Sequence, residues 1–102
     1  MCSWNVLLDP DDFYYAQHKT GEVFNFTGYS NPTVDELLEE GRVVDDFDTR
    51  YEIYEQVNQE IVDDAPYIYL YNPGNIQAYR TNVEGYTARG DQTIRFVRTW
   101  LD

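Results

Sequence analysis

Apolar positions along the chain fall into short, separated groups, and their spacing changes twice. Trp4-Asn5-Val6-Leu7-Leu8 is a compact apolar run that predicts a buried strand. Asp9-Pro10-Asp11-Asp12 closes it, because Pro10 lacks a backbone donor and aspartates favour turns. From Phe13 to Asn31 no period persists and Gly21 and Gly28 interrupt, which predicts mostly loop with some extended or short helical structure.

A helical period then sets in. Asn31 is a good N-cap and Pro32 suits the first helical position. Val34, Leu37 and Leu38 follow on one face, with Asp35, Glu36, Glu39 and Glu40 toward water, and the helix ends at Gly41 or just beyond. A second helix is predicted from Thr49, with Glu52 completing a capping box. Its stripe is Tyr54, Val57 and Ile61, edged by Tyr51, Ile53 and Val62, and Pro66 stops it by Asp64.

After Pro66 the pattern becomes strand-like. Tyr67-Ile68-Tyr69-Leu70-Tyr71 is rich in strand formers, Asn72-Pro73-Gly74-Asn75 is turn chemistry, and Ile76–Arg80 predicts a pairing strand. In Thr93–Trp100, Ile94 and Phe96 alternate with Arg95, as in a half-buried strand. The predicted order is strand, loop, two helices, then three strands. That is an α+β domain with two helices packed on a small mixed or antiparallel sheet.

At 102 residues, 42% hydrophobic and 17% aromatic, the chain is a folded domain of modest core rather than a disordered tail. Its formal charge of −12 excludes nucleic acid as a partner, since phosphate would be repelled, and disfavours anionic membrane surfaces. Residues 35–64 hold twelve acids against Arg42 and Arg50, which reads as solvated helical faces, with adaptation to high salt as the sharper alternative.

Catalytic chemistry is not legible. No phosphate loop, paired cysteines or metal-spaced histidines stand in the sequence, so no catalytic residue, metal or cofactor is assigned. Asp9, Asp11 and Asp12 do not make a calcium loop, because Tyr14 and Thr20 stand where its glycine and glutamate belong. Cys2 and His18 are each the only one of their kind and read as structural or incidental. Asn25-Phe26-Thr27 is a glycosylation sequon too short to weigh. No leader and no membrane-spanning stretch is visible in these residues.

Several segments, taken in order, carry a resemblance. Asn25-Phe26-Thr27-Gly28-Tyr29-Ser30-Asn31-Pro32-Thr33-Val34-Asp35-Glu36-Leu37-Leu38 resembles a stretch of the peptide/nickel-type extracytoplasmic solute-binding proteins, the receptors of ABC importers. Arg50, Tyr51 and Tyr54 resemble the start of that family's next helix, and Asp64-Ala65-Pro66-Tyr67-Ile68-Tyr69-Leu70-Tyr71 its following strand entry. Val83-Glu84-Gly85-Tyr86, Trp4 with Asp9-Pro10-Asp11, and Ile94-Arg95-Phe96 match further elements.

The resemblance implies a C-terminal piece of a two-lobed receptor, residues 1–90 mostly second lobe and 91–102 a strand returning toward the first, with Met1 an introduced or internal start. It implies lobes that close over a peptide or similar solute without making or breaking a bond, and a closed form that docks on the transporter permease. Partners would be the solute, the remainder of the receptor and the permease, in a periplasmic or lipid-anchored parent. In the family's peptide receptors an aspartate three residues after the tryptophan grips the peptide ammonium; here Leu7 stands there and Asp9 is the nearest acid. Trp4, Asn5, Asp9 and Tyr29 are therefore the candidate ligand contacts, against packing roles for Trp4 and a loop-bracing role for Tyr29. The alternatives are a free-standing acidic interaction domain, able to form a homodimer, and, with least support, a small carboxylate enzyme.

Overall fold

The computed structural model of the chain describes residues 9–71, 74, 76–90 and 93–102. These fall into two compact units, residues 9–69 and the described residues from 70 to 102. The strand predicted over 4–8 lies outside the described residues, as do positions 72, 73 and 75 of the predicted turn.

The first unit is three helices. Helix α1 (Pro10–His18) begins at Asp9, whose side chain accepts the Asp11 N–H at 2.9 Å. This corrects the turn reading of Asp9–Asp12, while Phe13–Asn31 is short helix to His18 and then loop, as expected. The prolyl residue taken as a breaker occupies the first helical turn, where its missing N–H costs nothing, and the aspartate before it is the cap. Helix α2 (Pro32–Val43) starts as predicted, with the Asn31 side chain accepting from Thr33 and Val34 N–H. Helix α3 (Phe47–Asp64) begins before Thr49. Asp46 is its cap and accepts both the N–H and the hydroxyl of Thr49, at 2.8 and 2.6 Å. A carboxylate three residues upstream supplies the stronger cap, so Thr49 sits inside the first turn. The helix ends at Asp64 as predicted, and Ala65 turns left-handed with φ 46° before Pro66.

The core is Val34 and Leu38 of α2 against Tyr54, Val57 and Ile61 of α3, all buried, with Tyr14, Tyr15, Tyr29 and Leu37 packed around it. Each fully buried aliphatic side chain contributes about 1.5–3 kcal/mol. Gly41 lies inside α2 because the α3 helix comes close there: an added Cβ would stand 3.0 Å from Cε2 of Tyr54. Three cations fasten α1 to the pair. Arg50 reaches Asp9 through two bonds of 2.7 and 3.2 Å, Arg42 lies 3.2 Å from Asp11 and over the Tyr15 ring, and Lys19 lies between Asp35 and Glu39.

The second unit differs from its prediction. Its only regular elements among the described residues are β1 (Val83–Glu84) and β2 (Trp100–Leu101), paired antiparallel with Val83 opposite Leu101 and Glu84 opposite Trp100. Gly85 has φ 71°, and a Cβ there would run into the Arg98 carbonyl and the Trp100 ring, so the turn beside this ladder requires glycine. Tyr86 sits edge-on to Tyr79, tilts against Phe96 and bonds the Gln77 side chain. The strands expected over 67–71, 76–80 and 93–100 are absent apart from Trp100. Strand-forming side chains do not suffice where the backbone N–H and C=O groups find no neighbouring strand. The α+β class holds; the arrangement of two helices laid on a sheet does not describe the helical unit, whose three helices pack on one another.

Candidate functional site

Asp9 and Tyr29, two of the four candidate contacts, are brought to opposite ends of α3 and not to one another. Asp9 meets Arg50 in the first turn of α3, whereas the Tyr29 hydroxyl donates to Asp64 at its last, at 2.7 Å. Fourteen residue steps along the helix separate those anchors, about 21 Å of rise. Trp4 and Asn5 lie outside the described residues.

Both placed candidates have their polar ends engaged. The Asp9 carboxylate accepts from Arg50 and from the Asp11 N–H, which hold its pKa below the usual carboxylate value. Tyr29 is braced along its length. Its N–H donates to Asn25 Oδ1, its carbonyl accepts from Asn25 Nδ2, and Asn31 joins it on Asp64 at 2.8 Å. Burial first, then the Asp64 carboxylate, pushes the Tyr29 phenol upward. The sequon is thereby accounted for structurally: the Asn25 amide is spent on Lys19 and Tyr29 carbonyls.

The residue that sequence reasoning missed is His18. It is completely buried, in a cage of Phe13, Tyr14, Tyr29, Tyr67 and Tyr69. Its Nδ1 lies 3.1 Å from the Tyr14 carbonyl, an acceptor only, so Nδ1 carries the proton. Nε2 then accepts from the Tyr69 hydroxyl at 2.9 Å. Burial lowers the His18 pKa, favouring this neutral form, and raises the Tyr69 phenol to about 12, so it remains a donor. No aromatic period announced the cage, because its members come from α1, the loop after it and the segment after α3. Burial also removes His18 from contact with a dissolved substrate. Among the described residues no group of three His, Cys, Asp or Glu is placed to hold a metal ion. No helix of the described residues is long and apolar enough to cross a membrane.

No family model matches the chain, and no solved structure matches it. Curated proteins do, and they define a class: all are named as peptide-binding proteins. The oligopeptide-binding protein AppA of Bacillus subtilis is 31% identical over 100 residues, 95% of this chain and 18% of AppA. The probable D,D-dipeptide-binding periplasmic protein DdpA of Escherichia coli is 29% identical over 74% of this chain and 14% of its own length. The probable di/tripeptide-binding protein 5 of Pseudomonas aeruginosa is 30% identical over 76% and 15%. By sequence the chain belongs to the peptide/nickel-type extracytoplasmic solute-binding proteins, and it spans less than a fifth of the length of these relatives.

Proposed function

We propose that this chain is a C-terminal segment of the substrate-binding component of an ABC-type importer for peptides or related solutes, and that it acts without catalysis. The observation that carries the reading is the order and extent of the match, 95% of the chain against 18% of an oligopeptide-binding protein. The full receptor, periplasmic or lipid-anchored, would close two lobes over the solute and present the closed form to the permease.

The segment after α3 supports a missing neighbour. Tyr67 and Tyr69 turn inward onto the His18 cage, while Ile68 and Leu70 stand 88% and 64% exposed. Tyr69 itself is half exposed and Tyr71 is 70% exposed, so much apolar surface of this segment is bare. Relatives more than five times longer supply ample chain to cover it, and the remainder of the receptor is the occupant we assign. Among the proposed ligand contacts, Trp4 and Asn5 would line the cleft directly. Asp9 and Tyr29 would contribute by bracing its walls, since Arg50 and Asp64 already occupy their polar ends.

Two measurements test this. Thermal unfolding of the 102-residue chain should not respond to a mixed peptide library, because half a cleft does not enclose a solute; a clear upward shift would contradict the reading. Grafted into AppA in place of the aligned segment, the chain should restore a folded, peptide-binding receptor. A graft that folds, by circular dichroism, yet binds no oligopeptide would count against it.

A further inference from the structure

Independently of the receptor reading, the geometry points to a pH-sensitive latch: neutral His18 holds the Tyr67–Tyr69 segment onto α1, and a proton on Nε2 releases it. The segment leaves α3 through left-handed Ala65 and Pro66 and has no strand or helix of its own. Among its described side-chain contacts, the one hydrogen bond back to the unit is Tyr69 Oη to His18 Nε2, at 2.9 Å. The Tyr67 ring packs edge-on to His18, but its hydroxyl is buried without a partner, so seating that ring carries a desolvation cost. One acceptor thus supplies the hydrogen bond that, with the ring contacts, holds the segment.

Protonation changes both terms. With Nδ1 committed to the Tyr14 carbonyl, the added proton must go to Nε2, which stops accepting and becomes a donor aimed at the Tyr69 hydroxyl. The imidazolium would then sit fully buried among rings. The titratable groups facing it are phenols: Tyr14 from α1, Tyr29 from the loop, Tyr67 and Tyr69 from the segment itself. The carboxylate that Tyr29 connects to this network is Asp64 of α3, which is spent on Tyr29 and Asn31, and Lys19 beside His18 lies toward Asp35 and Glu39. No counter-ion stands in the cage to receive a cation, so the charged ring favours opening to water. Tyr69 is half exposed and forms the side that gives way.

The test is a nuclear magnetic resonance titration of the chain from pH 8 downward until His18 has titrated. Imidazole nitrogen shifts should show the Nδ1–H tautomer at pH 8. Cross-peaks from the His18 ring to the Tyr67 and Tyr69 rings should be lost with the same midpoint as the imidazole. Tyr69→Phe removes the donor that favours the neutral ring and should move that midpoint upward. His18→Gln should abolish pH dependence of the Tyr67 and Tyr69 ring shifts over the same range. A His18 that protonates while those cross-peaks persist would overturn the latch. So would a release that survives unchanged in His18→Gln.

Discussion

The helical unit and the unit that follows it are built from different materials. Residues 9–69 carry sixteen of the nineteen acids and three of the seven bases, whereas the rest of the chain carries three acids and four arginines. Yet the acidic unit holds all of the buried hydrophobic core found among the described residues: Val34, Leu38, Ile53, Tyr54, Val57 and Ile61. In the nearly neutral unit the large apolar side chains Ile76, Ile94, Phe96, Val97, Trp100 and Leu101 all stand exposed. Charge therefore does not decide which part folds on its own. What decides is whether apolar side chains recur at a period that lets two elements share them. The α2–α3 pair meets that condition alone, and the segments 67–71 and 76–80 do not.

The sharpest way to break this contrast is to truncate an aliphatic side chain to alanine on each side. Leu38→Ala should destabilise the helical unit by roughly 2–5 kcal/mol, read as the urea midpoint of helical circular dichroism. Val97→Ala, at a side chain 88% exposed, should change that midpoint by less than about 0.5 kcal/mol. A comparable loss for Val97→Ala would mean that the helical unit does not fold independently of the residues after it.

Gly41→Ala sharpens the account of α2–α3 packing. Helix propensity alone predicts a gain of about 1 kcal/mol. The new Cβ would meet the Tyr54 ring at 3.0 Å, and that ring is buried and stacked on Tyr14, so it cannot yield. Overpacking of this kind costs about 1–3 kcal/mol, and the variant should melt lower than the wild type.

Next in size is the clasp of α1. Asp9→Ala removes a helix cap and the two-point bond to Arg50, for a loss of about 1 kcal/mol in the helical transition. Asp9→Asn keeps the cap and isolates the charge. Because Arg50, then the Asp11 N–H, depress the folded pKa of Asp9 below its unfolded value near about 4, its contribution is complete above that pH. It is lost as the pH falls through the lower folded value. Asp64, depressed by Tyr29 and Asn31, acts in the same direction. The wild type should therefore lose stability on acidification below about pH 4 more steeply than Asp9→Asn. The smallest effect expected is from salt, which screens the self-repulsion of the acidic unit and should raise its urea midpoint.

Helices α2 and α3 were legible because each carries an apolar stripe and a proline marking one end, Pro32 in the first turn of α2 and Pro66 just beyond α3, although the cap of α3 is Asp46 and not the expected Thr49. Helix α1 was hidden by the ambiguity of Asp-Pro, which is both a turn signal and a cap followed by a first-turn proline; only burial of His18 and the Arg42 and Arg50 contacts resolve it. The strands were overread, since strand propensity states what a side chain prefers once a neighbour exists and says nothing of whether one does. The family was legible from ordered motifs. The candidate site was legible only as names: Asp9 and Tyr29 are fastened to Arg50 and Asp64, and the His18 cage is assembled across segments too far apart in sequence for any spacing to show.

Residue-resolved amide hydrogen exchange of the 102-residue chain tests the central claim most directly. Slow exchange through α2 and α3, with the described residues of 70–102 exchanging much faster, is the predicted result for a self-sufficient helical unit and, on the proposed receptor reading, a second unit that relies on further chain. Protection of residues 76–101 equal to that of α3 would contradict it, because the second unit would then be completing its own fold.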